Sequence, residues 1–548
     1  MSAGRQGTWN AARRVLAVVR NPTSLDRLLS LVDVLELDLL EPDGFTEIRF
    51  TVDAGSAFDR GLVDHLERLG GAVLPWEEAC RTPWDLVLAA HVTPELGRLP
   101  GPVVVVPHGA GYRRLQPGGT APAGLTRDQL VRGGRLIPSV IGLSHQEQLR
   151  TLLANVPEAR DHAVVIGDPV VDQLRASGDL RHRYRRRLGV EPHQRLVVIS
   201  STWGEHSTLG VAPDLPHRLL SQLPADTHRV ALVRHWNVEQ AHSSFEVDLV
   251  LRRAREGGLI TVPPDRGWQA ALVAADLVIG DHGSVTLYGA ALDKPVLLVS
   301  DGGPEVEQGS ADARLWAAVE RVAAGDDLRG RVERAHRRPL GEFTDRVLGA
   351  PGQSARLLND VVRGVLELPP APPPRLRPLP EPTRFETPAV GSHWCAAKVA
   401  PGGGGVELER FPVVAGCPPP VAAQDPFLVV DVQWEVDEVR RSNAEVIVDS
   451  EPRPAEQEAR TWLLDALDRY PGAAVAAARL DSGCLLALRD RTVVGLDGDD
   501  PAIAAAAFHA WSIAGHPGDV PRFEVVLGTA AVEFTARRRR PVSVFPRF

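Results

Sequence analysis

The stretch LVIGDHGSVTLYGAALDKPVLLV, residues 277–299, decides the fold. Leu277–Gly280 is a short apolar run, as expected of a strand buried on both faces of a parallel sheet. Gly280-Asp281-His282-Gly283-Ser284-Val285 reads as a turn, and Val285–Leu292 reads as a helix. Lys294-Pro295 then leads into a second apolar strand, Pro295–Val299. Strand, turn, helix and strand make one βαβ unit.

The same alternation continues upstream. Leu196–Ser200, Arg229–Val233 and Gly258–Val262 read as strands, and Gly267–Ala275 as a helix. A separate series precedes it: strands at Val15–Val19, Glu47–Val52, Ala72–Leu74, Leu86–Ala90 and Val103–Val106, with a helix at Ala57–Leu69. The change between the two series falls near Arg186. The fold class is therefore α/β, with two Rossmann-like domains at 1–185 and 186–367. Residues 368–388 hold the proline-dense run Leu368–Pro382, expected to be an extended, semi-rigid linker. Residues 389–548 read as a smaller α+β domain. Its expected strands are Val406–Val414, Phe427–Trp434, Ala474–Leu480, Leu485–Leu488, Val493–Leu496 and Phe523–Leu527, with helices at Pro454–Arg469 and Ile503–Ile513. Trp394, Trp434 and Trp511 are expected in its core. No catalytic motif stands out there, so an accessory role such as binding an acceptor, a partner protein or a second copy is open.

The chain of 548 residues is long enough for three or four domains at a prior of roughly 150 residues each. A net charge of −9 argues against a nucleic-acid partner, which calls for a basic face. The run Arg537–Arg540 reads as a solvated stretch. No stretch reaches the roughly 20 apolar residues of a membrane span, and the polar Met1–Arg14 is not a secretory signal. Cys80, Cys395, Cys417 and Cys484 are scattered, which fits reduced thiols, a cytoplasmic location and no zinc site.

Four segments follow strands, where ligands bind in open α/β sheets. Pro107-His108-Gly109-Ala110-Gly111 offers a histidine for general-base work and glycines that let a ligand approach; a simple turn is the alternative. Ser200-Ser201-Thr202-Trp203-Gly204 offers hydroxyls for a phosphate, or a turn that caps a helix. Arg234-His235 offers a planar fork and a second donor for a diphosphate. Asp281, His282, Gly283 and Ser284 open the helix of the deciding stretch, where free N–H groups and the helix dipole favour an anion. Ordinary N-capping by Ser284 is the alternative.

Together these segments resemble the CDP-glycerol glycerophosphotransferase family, which builds teichoic acid polymers on a GT-B fold. Val106-Pro107-His108-Gly109 stands where that family has T-W-H-G, and Ser200–Gly204 where it has A-P-T-W-R. Arg234-His235-Trp236 matches its R-x-H-P, and Gly280–Ser284 its T-D-Y-S-S. Ser144, Glu147 and Gly167-Asp168-Pro169-Val170-Val171-Asp172 match its S-x-x-E…G-x-P-x-x-D. His282, Gly283, Trp236 and Gly204 depart from the family pattern at donor-contacting positions. The resemblance covers roughly residues 100–300 well, the first hundred loosely, and none of the last domain.

The resemblance implies that His108 deprotonates an acceptor hydroxyl, with Gly109 and Gly111 on the acceptor side of the cleft. It implies donor binding by Thr202, Arg234, His235, Asp281, His282, Gly283 and Ser284. The hydroxyl would attack the phosphorus next to glycerol and release CMP, with no metal and no cofactor beyond the nucleotide-activated donor. The partners expected are a nucleotide-linked small molecule and a hydroxyl-bearing acceptor. Two other readings stand beside this one: an enzyme like UDP-N-acetylglucosamine 2-epimerase, and a nucleotide-binding or scaffold protein without turnover.

Overall fold

The computed structural model describes residues 11–35, 40–41, 44–56, 59–115, 121–370, 372, 375–385, 387–418, 425–498, 500–515 and 522–538. Most of the polar N-terminus, residues 57–58 of the first expected helix, parts of the proline run and Arg539-Arg540 lie outside the described residues.

The first domain is a seven-stranded sheet. Its strands are β1 (Ala11–Val19), β2 (Leu40–Glu41), β3 (Gly44–Val52), β4 (Leu86–Ala89) and β5 (Val103–Val105). A small hairpin of β6 (Val131–Arg132) and β7 (Arg135–Leu136) stands apart, and β8 (Val140–Leu143) and β9 (Ala163–Val165) complete the sheet. The order is β2-β3-β1-β4-β5-β8-β9, and only the β2–β3 pair is antiparallel. Ala72–Leu74, expected as a strand, makes only the single bridge Val73–Phe50. The all-apolar runs are explained by alternation. Val15, Ala17 and Val19 pack on one face, against the helix Pro22–Leu35, and Leu16 and Val18 pack on the other. That helix buries Leu25, Leu28, Leu31 and Leu35, a spacing of three and four that the sequence reading passed over.

The second domain is a six-stranded parallel sheet. It comprises β10 (Arg195–Ser201), β11 (His228–Arg234), β12 (Ile260–Val262), β13 (Leu277–Gly280), β14 (Val296–Leu298) and β15 (Glu320–Arg321), in the order β12-β11-β10-β13-β14-β15. This is the doubly wound order that reverses after its first strand, so the crevice opens between the carboxyl ends of β10 and β13. The two sheets and the cleft between them form the GT-B arrangement.

The chain then returns to the first domain. The helix Ser354–Val365 buries Leu358 and Val362 in the core beside Val15 and Leu28. Asp172 receives the backbone N–H of Gly352 at 2.8 Å and of Ser354 at 2.9 Å, and so caps that helix from a distance. The G-x-P-x-x-D segment therefore carries a structural load. The linker is pinned to the second domain, whose core takes in Tyr184 from just before the expected boundary: Tyr184 Oη donates to the Leu379 carbonyl at 2.7 Å, and Leu379 and Phe385 are buried.

The last domain is α+β, and its sheet closes into a barrel. The strands are β16 (Ser392–Val399), β17 (Gly405–Pro412), β18 (Phe427–Asp431), β19 (Val446–Arg453), β20 (Val475–Leu480), β21 (Cys484–Leu488), β22 (Val493–Leu496), β23 (Arg522–Leu527) and β24 (Ala530–Arg538). The helix Pro501–Ile513 fills the interior, with Ala504–Ala507, Phe508 and Trp511 in one core with inward residues of the strands. Alanines make that helix thin enough for a barrel lumen. The helix Glu456–Arg469 covers the outside through Leu463 and Leu467. Trp511 is buried as expected, but Trp434 is 58% exposed. The strand expected over Phe427–Trp434 ends at Asp431. The barrel docks on the second domain through Arg410, which grips Asp226 at 3.0 and 2.5 Å, and Arg329, which grips Glu409.

Candidate functional site

A cavity of about 240 Å³ lies between the two Rossmann-like domains. It brings together His108, Gly109, Gly111, Thr202, Arg234, His235, His282, Gly283 and Ser284. Four segments spread over 177 positions, from His108 to Ser284, thus meet at strand ends.

On the first-domain wall, β5 ends into the loop bearing His108. Arg27, from the helix Pro22–Leu35, holds this loop: Nε donates to the Pro107 carbonyl at 2.9 Å and Nη2 to the Gly109 carbonyl at 3.2 Å. Its Nη1 pairs with Asp168 at 2.8 Å, and Tyr288 Oη donates to the same carboxylate at 2.8 Å. Arg27, Asp168 and Tyr288 are all buried, so one charge network ties the first domain, the connecting segment and the helix Ser284–Ala291 together. His108 is exposed into the cavity, where the two domain walls crowd its ring. Loss of solvation between those walls, with the His91 ring and the Arg27 and Arg113 guanidiniums nearby, pushes its pKa down to about 4. At neutral pH it carries a free lone pair, as a base must.

On the second-domain wall, the helix Ser284–Ala291 begins at the N-cap Gly283, and no side chain caps it. Capping by Ser284 is therefore set aside. Ser284 Oγ instead accepts from the Ala110 backbone N–H at 3.1 Å and from Arg113 Nη2 at 3.2 Å, which leaves its own O–H to donate. Gly109 comes so close that a Cβ there would sit 2.6 Å from Ser284 Oγ, which accounts for glycine.

Asp281, expected among the donor-binding residues, does not line the cavity. It is fully buried, and its carboxylate accepts from the backbone N–H groups of Thr202, Thr208 and Gly283 and from Thr202 Oγ1, all at 2.8–2.9 Å. It is a clasp joining the loops after β10 and β13. Arg234 lines the cavity, but its Nη2 is paired with Glu239 and its Nε has no hydrogen-bond partner among the described residues. His235 caps the following helix through Nδ1, which accepts from Asn237 N–H, so Nε2 carries the proton and faces Thr23 Oγ1 across the cleft at 3.2 Å. Burial, with His108 and Arg114 nearby, lowers its pKa to about 4. His282 Nε2 meets Glu305 at 3.0 Å, and burial lowers its pKa.

The sequence reading missed the arginines that cross the cleft. Arg113 reaches from the first domain to the His282 carbonyl at 3.2 Å and to Asp312 at 2.6 Å. Arg114 pairs with Glu305 at 2.6 Å and lies 4.3 Å above the Trp203 ring. Asp26 receives Trp268 Nε1 at 3.0 Å, and Trp268 stacks on Tyr288. The one local signal was the Arg-Arg pair just after the Gly109–Gly111 turn. Among the described residues no group of three or more His, Cys, Asp or Glu side chains could hold a metal ion, and no helix is long and apolar enough to cross a membrane.

The histidines predict an acid-sensitive protein. His108, His228 and His235 each sit near 4, below the ordinary value of about 6.5. Between those values the unfolded chain binds protons that the folded chain does not, so stability falls as pH falls through that window. Melting temperature should decline steadily from about pH 6.5 downward; a constant value to pH 5 would contradict the assignment.

No family model matches the chain, and no curated protein matches it. Among solved structures it is similar to a variant of the wall teichoic acid polymerase TagF soaked with CDPG, at 11% identity and a TM-score of 0.44, over 65% of this chain and 89% of that one. It is similar to the S. aureus MnaA–UDP co-structure at 12% identity and a TM-score of 0.40, over 65% and 97%. It is also similar to a putative UDP-N-acetylglucosamine 2-epimerase from Listeria monocytogenes at 15% identity and a TM-score of 0.41, over 67% of this chain and 100% of that one.

Proposed function

We propose that the cleft is the active site of a transferase that moves a polyol-phosphate or sugar from a nucleotide-activated donor to a hydroxyl acceptor. A CDP-glycerol-like donor is favoured by the residues that resemble the glycerophosphotransferases. One observation carries the reading: an uncapped helix N-terminus at the crevice of the second sheet faces a neutral histidine on the first, in one cavity.

The donor diphosphate lies at the N-terminus of Ser284–Ala291, where the helix dipole and the Ser284 hydroxyl favour negative charge. Arg113 and Arg234 face the same space. Arg234 Nε, Trp236 Nε1 and His282 Nδ1 are buried along this wall without hydrogen-bond partners among the described residues, which suits them to a polar ligand. For a CDP-glycerol-like donor, the acceptor oxygen attacks the phosphorus next to glycerol. The hydroxyl proton passes to the His108 ring, the bond from phosphorus to the CMP oxygen breaks, and CMP leaves with the electron pair. Diphosphate in the cleft also offsets the cations that depress His108, so its basicity rises when the donor is bound.

The test is release of nucleoside monophosphate or diphosphate from CDP-glycerol, UDP-N-acetylglucosamine and related donors, with hydroxyl acceptors present. Turnover of one donor is expected. Binding of a nucleotide without any turnover would favour the scaffold reading.

A further inference from the structure

A second cavity, of about 280 Å³, lies at the mouth of the barrel. Strand alternation dictates its walls. Phe427 and Val429 of β18 point into the barrel core, so Asp431 is the next inward position. On β19, Val446 and Val448 point inward, then Ser450; on β20, Val475 and Ala477, then Arg479. The antiparallel neighbours agree: inward Cys395 of β16 leads to His393, and inward Val406 and Leu408 of β17 lead to Arg410. On each of these strands the inward row changes from apolar to polar at the same end of the barrel, and all these polar residues line the cavity.

The hydrogen bonds leave part of this ring unused. Arg410 spends Nε and Nη2 on Asp226, which leaves Nη1 with only a 3.7 Å ion pair to Asp500. Arg479 and the His393 ring make no hydrogen bond or ion pair with the described residues. Burial raises the pKa of Asp431, as expected of a carboxylate held in a recess. Val390 and Val429 supply an apolar wall, and the exposed Trp434 stands at the rim.

We propose that this mouth binds a small zwitterion of the α-amino-acid class. Its carboxylate meets Arg479 and Arg410 Nη1, its ammonium meets Asp431 and Asp500, and its side chain lies toward Val390 and Trp434. A guanidinium offers a planar fork to a carboxylate; Asp431 Oδ1 already accepts from the Gln433 N–H and Asp500 Oδ1 from the Ala502 and Ile503 N–H groups, so the ammonium meets the second oxygen of each, and a recess holding charges of both signs selects a ligand that carries both. A recess of about 280 Å³ approaches the size of small-molecule sites.

The test is calorimetric titration of the full chain with the proteinogenic amino acids, one at a time, and with the matching amine and acid that each lack one charge. Saturable binding of at least one amino acid is expected, with the amine and the acid weaker by about tenfold or more. Arg479→Ala and Arg479→Gln should each weaken binding by about tenfold or more, while Ser284→Ala in the interdomain cleft leaves it unchanged. The Gln variant keeps bulk and polarity if Ala perturbs the fold. No binding up to about 10 mM, equal binding of an analogue lacking one charge, or unchanged binding in Arg479→Gln would overturn the proposal.

Discussion

His108→Ala should lower the rate of nucleotide release by about 10²- to 10⁴-fold, equivalent to roughly 3–5 kcal/mol of transition-state stabilisation. On the proposed function the loss should appear in kcat, with donor affinity nearly unchanged, because His108 lies on the first-domain wall and the helix N-terminus assigned to the donor lies on the opposite one. Position and protonation together suit His108 to this role. His108 is at a strand's carboxyl end, its loop is fixed by three hydrogen bonds or ion pairs from Arg27 to Pro107, Gly109 and Asp168, and its ring is neutral. A buried structural histidine would instead lower stability when replaced. A variant with wild-type kcat, or one that loses stability and activity in proportion, would sink the base assignment.

Asp168→Ala should cost about 3–5 kcal/mol, because it leaves the Arg27 guanidinium buried and unpaired. Both side chains of the pair are almost wholly buried, and Tyr288 and the Val170 N–H depend on the same carboxylate. Urea unfolding would show the loss as an earlier transition involving both Rossmann-like domains. The double variant Arg27→Met/Asp168→Leu should recover much of it, since it removes both charges. The pair also steers the His108 loop, so the double variant should fold and yet turn over slowly. A loss under about 1 kcal/mol in Asp168→Ala would mean that water reaches the site, and the network would then not be holding the loop.

The parts of this account that were legible in sequence are local. The βαβ unit at 277–299 was readable because a strand buried on both faces must be apolar throughout, and Leu277–Gly280 was placed to the residue. His108 and Ser284 were placed at the cleft because turns after such strands face the crevice, and both line the cavity. The pairings that complete the site left no local mark. Arg27 and Asp168 are 141 residues apart, Arg113 and Asp312 199, and nothing near any of them signals its partner. Asp281 shows the opposite failure: a carboxylate inside the best motif looked like a ligand and is spent on backbone N–H groups. Closure of the last domain was equally hidden. It requires β17 to pair with β23, and the deciding strands β16, β19 and β24 were not recognised individually. Trp434 was placed in the core because it is tryptophan, whereas strand β18 stops before it and leaves it at the cavity rim.

The cleft reading makes the arginines that cross between domains more than an interdomain lock. Arg113 and Arg114 are paired with Asp312 and Glu305 while they face the helix N-terminus. An entering diphosphate competes with those carboxylates, so donor binding should rearrange the pairs and report on both walls at once. The most direct measurement is thermal-shift titration of the full chain with CMP, CDP, CTP, UDP, GDP, ADP, CDP-glycerol and UDP-N-acetylglucosamine. A ligand present at about 100 times its dissociation constant adds roughly 2.7 kcal/mol. A clear shift is expected with nucleotides of one base, larger for the diphosphates than for the monophosphate, and lost in Arg113→Ala and Ser284→Ala. No shift with any nucleotide, or a shift that survives both substitutions, would contradict the assignment of this cleft to a nucleotide-activated donor.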